Sequence, residues 1–176
     1  MPSRRTLLGR LGLALALSAP LAHAAAPAPP EGVRVEGALP RSGTLGRRDL
    51  ESLGSTTATW TSHGTTHRVV GVRLDAVLAH FGFTPGPMGK DIPVADKRRG
   101  YRQIVVATAR DGFQAVFSCA EVTAGMGPTL ALIAWEIDGK PVEPEAGPFR
   151  LVVTTDGEPS RSIRQLERIQ VAEPRP

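Results

Sequence analysis

Three Asp-Gly pairs, at residues 111–112, 138–139 and 156–157, cut the second half of this chain into short apolar runs. Each pair is a turn former, because aspartate bonds its own backbone and glycine accepts positive φ. Ile104 to Ala109 and Phe113 to Ser118 flank the first pair, which predicts a hairpin. Leu130 to Ile137 runs into the second pair as a further strand, and Phe149 to Thr154 and Ile169 to Val171 predict two more. In the first half, Val33 to Gly37 alternates as a strand, and Thr56 to Val70 is rich in Thr and Val with a break at Gly64. Helical signals are few. The clearest is Arg73 to Phe81, where Leu74, Val77, Leu78 and Phe81 make one apolar stripe and Gly82 stands at the C-terminal cap. A shorter helix is predicted over Arg47 to Leu53, capped by Thr44, and a helical turn over Ala120 to Val122. The sum is a sheet-rich α+β single domain.

That domain begins late. Residues 1–24 carry Arg4, Arg5 and Arg10, then an apolar run from Leu11 to Leu17, then Pro20 and the small-residue exit Ala22-His23-Ala24. This is the order of a cleavable secretion signal, and the run falls short of the roughly 20 residues a membrane span needs. Ser3-Arg4-Arg5-Thr6-Leu7-Leu8 resembles the twin-arginine export motif. Residues 25–32 are an Ala/Pro-rich lead with nothing to pack, and 33–172 are the domain. A periplasmic or secreted location is the expectation.

Export also changes the charge balance. The full chain has 21 basic and 17 acidic residues, but without the three signal arginines the count is 18 against 17. Such near-balance gives no ground for nucleic acid as a partner. The single cysteine, Cys119, excludes an intramolecular disulfide, so stability must come from packing. Cys119 follows an apolar strand and reads as a small buried hydrophobe. His63 and His67 read as surface imidazoles, since no Cys, Asp or Glu lies near them in sequence to complete a metal site. Trp60 and Trp135 are core or pocket-wall candidates, and the Asp-Gly aspartates are turn formers, not acid catalysts.

Four segments in order resemble the molybdopterin-binding domain of the sulfite oxidase family. They are Gly71-Val72-Arg73-Leu74 with Val77-Leu78, Asp111-Gly112-Phe113, Gly147-Pro148-Phe149-Arg150-Leu151-Val152-Val153, and Arg161-Ser162-Ile163-Arg164-Gln165-Leu166 with Ile169 and Val171. The resemblance spans Val33 to Val171. It implies the family fold, a molybdopterin cofactor, and Arg150, Arg161 and Arg164 around its anionic end, where planar guanidinium groups bond phosphate oxygens in pairs. Lys97, Arg98 and Arg99, on the loop between Thr84 and Gly100, would close over the same pocket. A periplasmic or membrane redox partner is also implied. From the residues alone, Arg150 and Arg164 read equally as outward strand positions paired with Glu167 or Glu145.

One departure from the family is chemical. Its enzymes bond molybdenum through a cysteine just before the Gly-Val-x-Leu turn, and here Thr57 to Gly64 holds none. Ser62 or Thr61 is the nearest replacement, with a hydroxyl far harder to ionise than a thiol of pKa about 8.5. The chain therefore reads as a small exported relative with no protein ligand assigned to a metal. Two readings stay open: a reduced oxidoreductase with a retained anion or pterin pocket, and a cofactor-free binding or protein-interaction module on the same fold.

Overall fold

The computed structural model of the chain describes residues 32–84, 94 and 102–174. The proposed signal, the lead up to residue 31 and the Lys97-Arg98-Arg99 triplet lie outside the described residues. Ten strands are described: β1 (Gly32–Gly37), β2 (Gly43–Gly46), β3 (Thr56–Ser62), β4 (Thr65–Arg73), β5 (Ile104–Ala109), β6 (Gln114–Ser118), β7 (Ala131–Ile137), β8 (Lys140–Pro141), β9 (Arg150–Val153) and β10 (Leu166–Ala172). Helices α1 (Arg47–Ser52), α2 (Leu74–His80) and α3 (Cys119–Val122) and a 3₁₀ turn at Pro159–Arg161 are short.

The strands form two sheets. One has the order β2-β1-β10-β5-β6, with β1 and β10 parallel and the other pairs antiparallel. The second is antiparallel in the order β3-β4-β7-β8, with β9 on β7. Both sheets feed one core, in which Val35, Phe117, Ile133, Leu151 and Ile169 meet Leu50 of α1 and Leu74, Val77 and Leu78 of α2.

The second sheet is buried on both faces, and the period-2 geometry of a strand shows how. On β7, Ala131, Ile133 and Trp135 join the main core. Leu132 and Ala134 face the other way, into a smaller cluster with Trp60, Val69 and Val152. Burial on both sides explains why β7 reads as an unbroken apolar run instead of alternating. Strands β4 and β7 slip register between Val70 and Gly71. A side chain at position 71 would put its Cβ 2.5 Å from the Ile133 carbonyl oxygen, so only glycine lets the strands approach there.

Two local expectations need correction. Thr44 does not cap α1; it lies inside β2, a strand too short and glycine-rich to stand out in sequence. Gly46 is the cap residue, and its N–H donates to Asp49 Oδ2 at 2.9 Å. The final strand is longer than predicted, because Leu166 and Arg168 to Ala172 pair with β5, with Glu167 left at a bulge between them.

Candidate functional site: a cationic cavity on the second sheet

Arg150 opens β9, two residues before Val152, so it stands on the face of the smaller cluster. Its guanidinium carbon lies 4.6 Å from the centroid of the Trp60 ring, a cation–π stack. Trp60 on β3 is paired in register with His67 on β4, and the two rings are 5.6 Å apart. His67 Nδ1 is 2.7 Å from Asp138 Oδ2, while the Arg68 backbone N–H donates to Asp138 Oδ1 at 2.8 Å. Asp138 and Gly139 make the β7–β8 turn with φ of 53° and 77°, a paired positive-φ turn that favours Asp-Gly. The hydrogen bonds from His67 and from the Arg68 N–H hold the Asp138 carboxyl below the usual carboxylate range. An ionised carboxylate only accepts, so Nδ1 of His67 carries the proton between them.

These side chains line a cavity of about 510 Å³, together with Ser62, His63, Lys140, Glu143 and Arg164. That size falls within the range of small-molecule sites. Arg164 is exposed, but its backbone is fixed from both sides. Ile163 bridges Leu151, and the Gln165 N–H donates to the Ala146 carbonyl at 2.7 Å. The loop thus presents a cation from a rigid base.

The hydrogen-bond account of the cavity does not close. Trp60 Nε1 and Arg150 Nε are buried donors with no partner among the described residues. Each such orphan costs about 1–3 kcal/mol, so native structures seldom keep them without a use. Burial, then the neighbouring Arg164 charge, pushes the Arg150 pKa down, although a guanidinium stays ionised at any relevant pH. Two unmatched donors and two adjacent cations are groups that can bond an anion.

Arg161 sits elsewhere. It is not among the residues lining this cavity, and its guanidinium is committed to the protein itself. It makes a bidentate pair with Asp156 at 2.9 and 2.6 Å, bonds Glu121 at 2.7 Å, and lies over the Phe117 ring at 4.9 Å. The bonds it donates to Asp156 and Glu121 raise its pKa against the effect of burial. Of the three arginines singled out in sequence, the fold brings Arg150 and Arg164 together and sets Arg161 apart as a clamp. The alternative pairing of Arg150 or Arg164 with Glu167 or Glu145 is not seen among the described residues.

Ser62 lines the cavity and Thr61 does not. Cys119 is in the main core, 1% exposed, and burial pushes its thiol up to about 12. It therefore offers no thiolate to any site. Among the described residues no three His, Cys, Asp or Glu side chains gather as metal ligands. Sequence reasoning missed the His67–Asp138 pair, whose partners are 71 positions apart. Only the β4–β7 register joins them.

The chain matches the family model described as the oxidoreductase molybdopterin binding domain, over residues 42–175. It belongs to that family. The crystal structure of the sulfane dehydrogenase SoxCD from Paracoccus pantotrophus superposes with a TM-score of 0.60 at 16% identity. The match covers 81% of this chain and 38% of that one, so the family domain here spans well under half the length of its structural neighbour. At that identity the likeness shows the fold. No curated protein matches the sequence significantly. The unpartnered donors beside Arg150 and Arg164 fit the anionic end of a molybdopterin, whereas the β3 segment offers a hydroxyl, not a thiol, to a metal.

Proposed function

We propose that this molybdopterin-family domain is exported and uses the Trp60–Arg150–Arg164 cavity to bind a small organic anion, with a phosphate-bearing pterin as its family ligand. The observation that carries this reading is the pair of buried donors without partners, Trp60 Nε1 and Arg150 Nε, in one cavity with a second arginine. Arg150 would take the anion through its Nε edge while its face stays on Trp60, and Arg164 would reach in from the exposed side. When it carries molybdenum, such a pterin supplies oxygen-atom or electron transfer at the metal. This chain's own part is binding, orientation and charge neutralisation.

A second reading, a cofactor-free binding module, is favoured by one observation. The β3 segment that borders the cavity puts the Ser62 hydroxyl in its lining and carries no thiol. The two readings separate on cofactor content. The full chain, exported by its own signal from a host that makes molybdopterin, is assayed for oxidised pterin fluorescence and for molybdenum. The expected result is pterin near one per chain, lost in Arg150→Gln while the fold persists. A folded protein without pterin assigns the cavity to the binding module.

A further inference from the structure

We infer that His67 is a binding residue of the cavity that charges as the anion enters, so that an anion held by Trp60 Nε1 and Arg150 is bound together with a proton taken from solvent onto the imidazole. This rests on the anion-pocket reading above and assigns a further residue to it. His67 lies on β4 opposite Trp60, with the two rings 5.6 Å apart. The Arg150 guanidinium carbon is 4.6 Å from the centroid of that same Trp60 ring. The imidazole is therefore one ring away from the unmatched donors Trp60 Nε1 and Arg150 Nε. Its Nδ1 proton is committed to Asp138 at 2.7 Å. A second proton goes to Nε2, which has no hydrogen bond among the described residues.

The charges around the ring decide when that proton binds. Lys140 follows the β7–β8 turn, Arg150 opens β9 and Arg164 precedes β10, and all three line the cavity with His67. Their positive charges oppose an imidazolium. Asp138 favours one, as does Glu143 on an exposed segment of the same lining. His63, in the β3–β4 turn, is the other imidazole of the lining. Arg68, next on the strand, stands on the opposite face and pairs with Glu136 at 3.6 Å. Within the cavity the cations already work against each other, since Arg164 disfavours the charge of Arg150. An anion seated on Arg150 and Trp60 Nε1 offsets those cations and attracts a proton to the neighbouring ring. Binding and protonation then favour each other to the same extent. A phosphate on an organic body, with a charge of about −1.5 to −2 at pH 7, draws the proton more strongly than a carboxylate does.

Isothermal titration tests this, using the chain made in a host without molybdopterin so that the cavity starts empty. The probe is inorganic sulfate, which carries no proton near neutral pH, so any proton taken up goes to the protein. Heats measured at one pH in buffers of different ionisation enthalpy give the protons bound per sulfate. The expected uptake is a fraction of one proton between about pH 6 and 8, within the range where histidine side chains change charge. Sulfate should bind about three- to tenfold more tightly at the acid end of that range, the scale of one added charge in a part-exposed site. His67→Gln should keep the binding, abolish the uptake and flatten the pH profile. Asp138→Asn keeps the turn, because Asn-Gly suits the same positive-φ pair, and should move the uptake to lower pH. It decides the question if the His67→Gln chain misfolds. Sulfate binding without proton uptake would overturn the role of His67 and leave the anion pocket standing. Uptake that survives His67→Gln, or that Asp138→Asn leaves at the same pH, would give the proton to another group and overturn it as well. If sulfate does not bind, the inference falls together with the pocket reading.

Discussion

Trp60 answers to two opposed demands. Its ring closes the smaller apolar cluster and supports Arg150, while its indole N–H is left buried and unmatched. Trp60→Phe keeps the ring and removes the orphan donor. Its expected effect on the ligand-free protein is therefore neutral to stabilising, within about 1–2 kcal/mol, while anion affinity falls several-fold. Thermal melts with and without phosphate check both arms, and a strongly destabilised apo variant would mean that the N–H already has a partner. Cys119 gives a residue-scale test of a different kind. Its unfolded thiol ionises near 9.0, whereas burial holds the folded thiol protonated to about 12. The folded state binds the extra proton between those values, so stability is full below pH 9 and falls as pH rises toward 12. Urea titrations across that window should show a slope that Cys119→Ala removes, and equal slopes would place the thiol in contact with water. Sequence alone identified Cys119 as a buried hydrophobe and Trp60 as a core or pocket-wall residue. The unmatched indole N–H was not legible, since hydrogen-bond satisfaction depends on neighbours that only the fold supplies.

At the scale of elements, the Arg161 clamp ties the 3₁₀ turn at Pro159–Arg161 to α3 through Glu121 and to the preceding loop through Asp156. Replacing it with methionine keeps contact with Phe117 but leaves two carboxylates facing each other. The pairs are only partly buried, at 15–35% side-chain exposure, so the expected loss is about 1–2 kcal/mol, less than a buried triad would cost. Denaturation midpoints measure it, and faster amide exchange from Ser162 to Gln165 should accompany it, with weaker anion binding through a displaced Arg164. A variant with native midpoint and native exchange would mean that Arg161 does not act as a clamp. The elements themselves were largely legible. The β5–β6 hairpin follows from Asp111-Gly112, whose aspartate Oδ1 accepts the Phe113 N–H at 2.9 Å. Helix α2 follows from its apolar stripe. What sequence could not show was β2, because Gly43-Thr44-Leu45-Gly46 has almost no strand propensity and pairs only because β1 lies beside it. The late start of the β10 prediction has the same origin, since Leu166 and Arg168 pair with β5 despite the charge at 168 and the bulge at Glu167.

At the scale of the whole molecule, two sheets share one core and leave a second, smaller cluster on the far face of β3, β4, β7 and β9. The cavity grows from that cluster, which is why its residues come from four separate stretches of sequence. Family membership was legible from four motifs in order, and the family model confirms it over residues 42–175. The cavity was only half legible. Arg150 and Arg164 lie in those motifs, whereas Trp60, His67 and Asp138 enter through strand pairing. On the proposed reading, the cavity meets an anion through the Trp60 indole N–H and Arg150. The chain holds only two tryptophans, and Trp135 lies in the main core under Arg47, 4.7 Å from its guanidinium carbon. A ¹H–¹⁵N spectrum therefore gives two indole signals, one at the site and one as an internal control. On titration with inorganic phosphate, a saturable downfield shift of the Trp60 signal is expected, with Trp135 unmoved and the response lost in Arg150→Gln. A Trp60 signal that stays still, or that drifts in step with Trp135 without saturating, would mean that no anion meets the indole N–H.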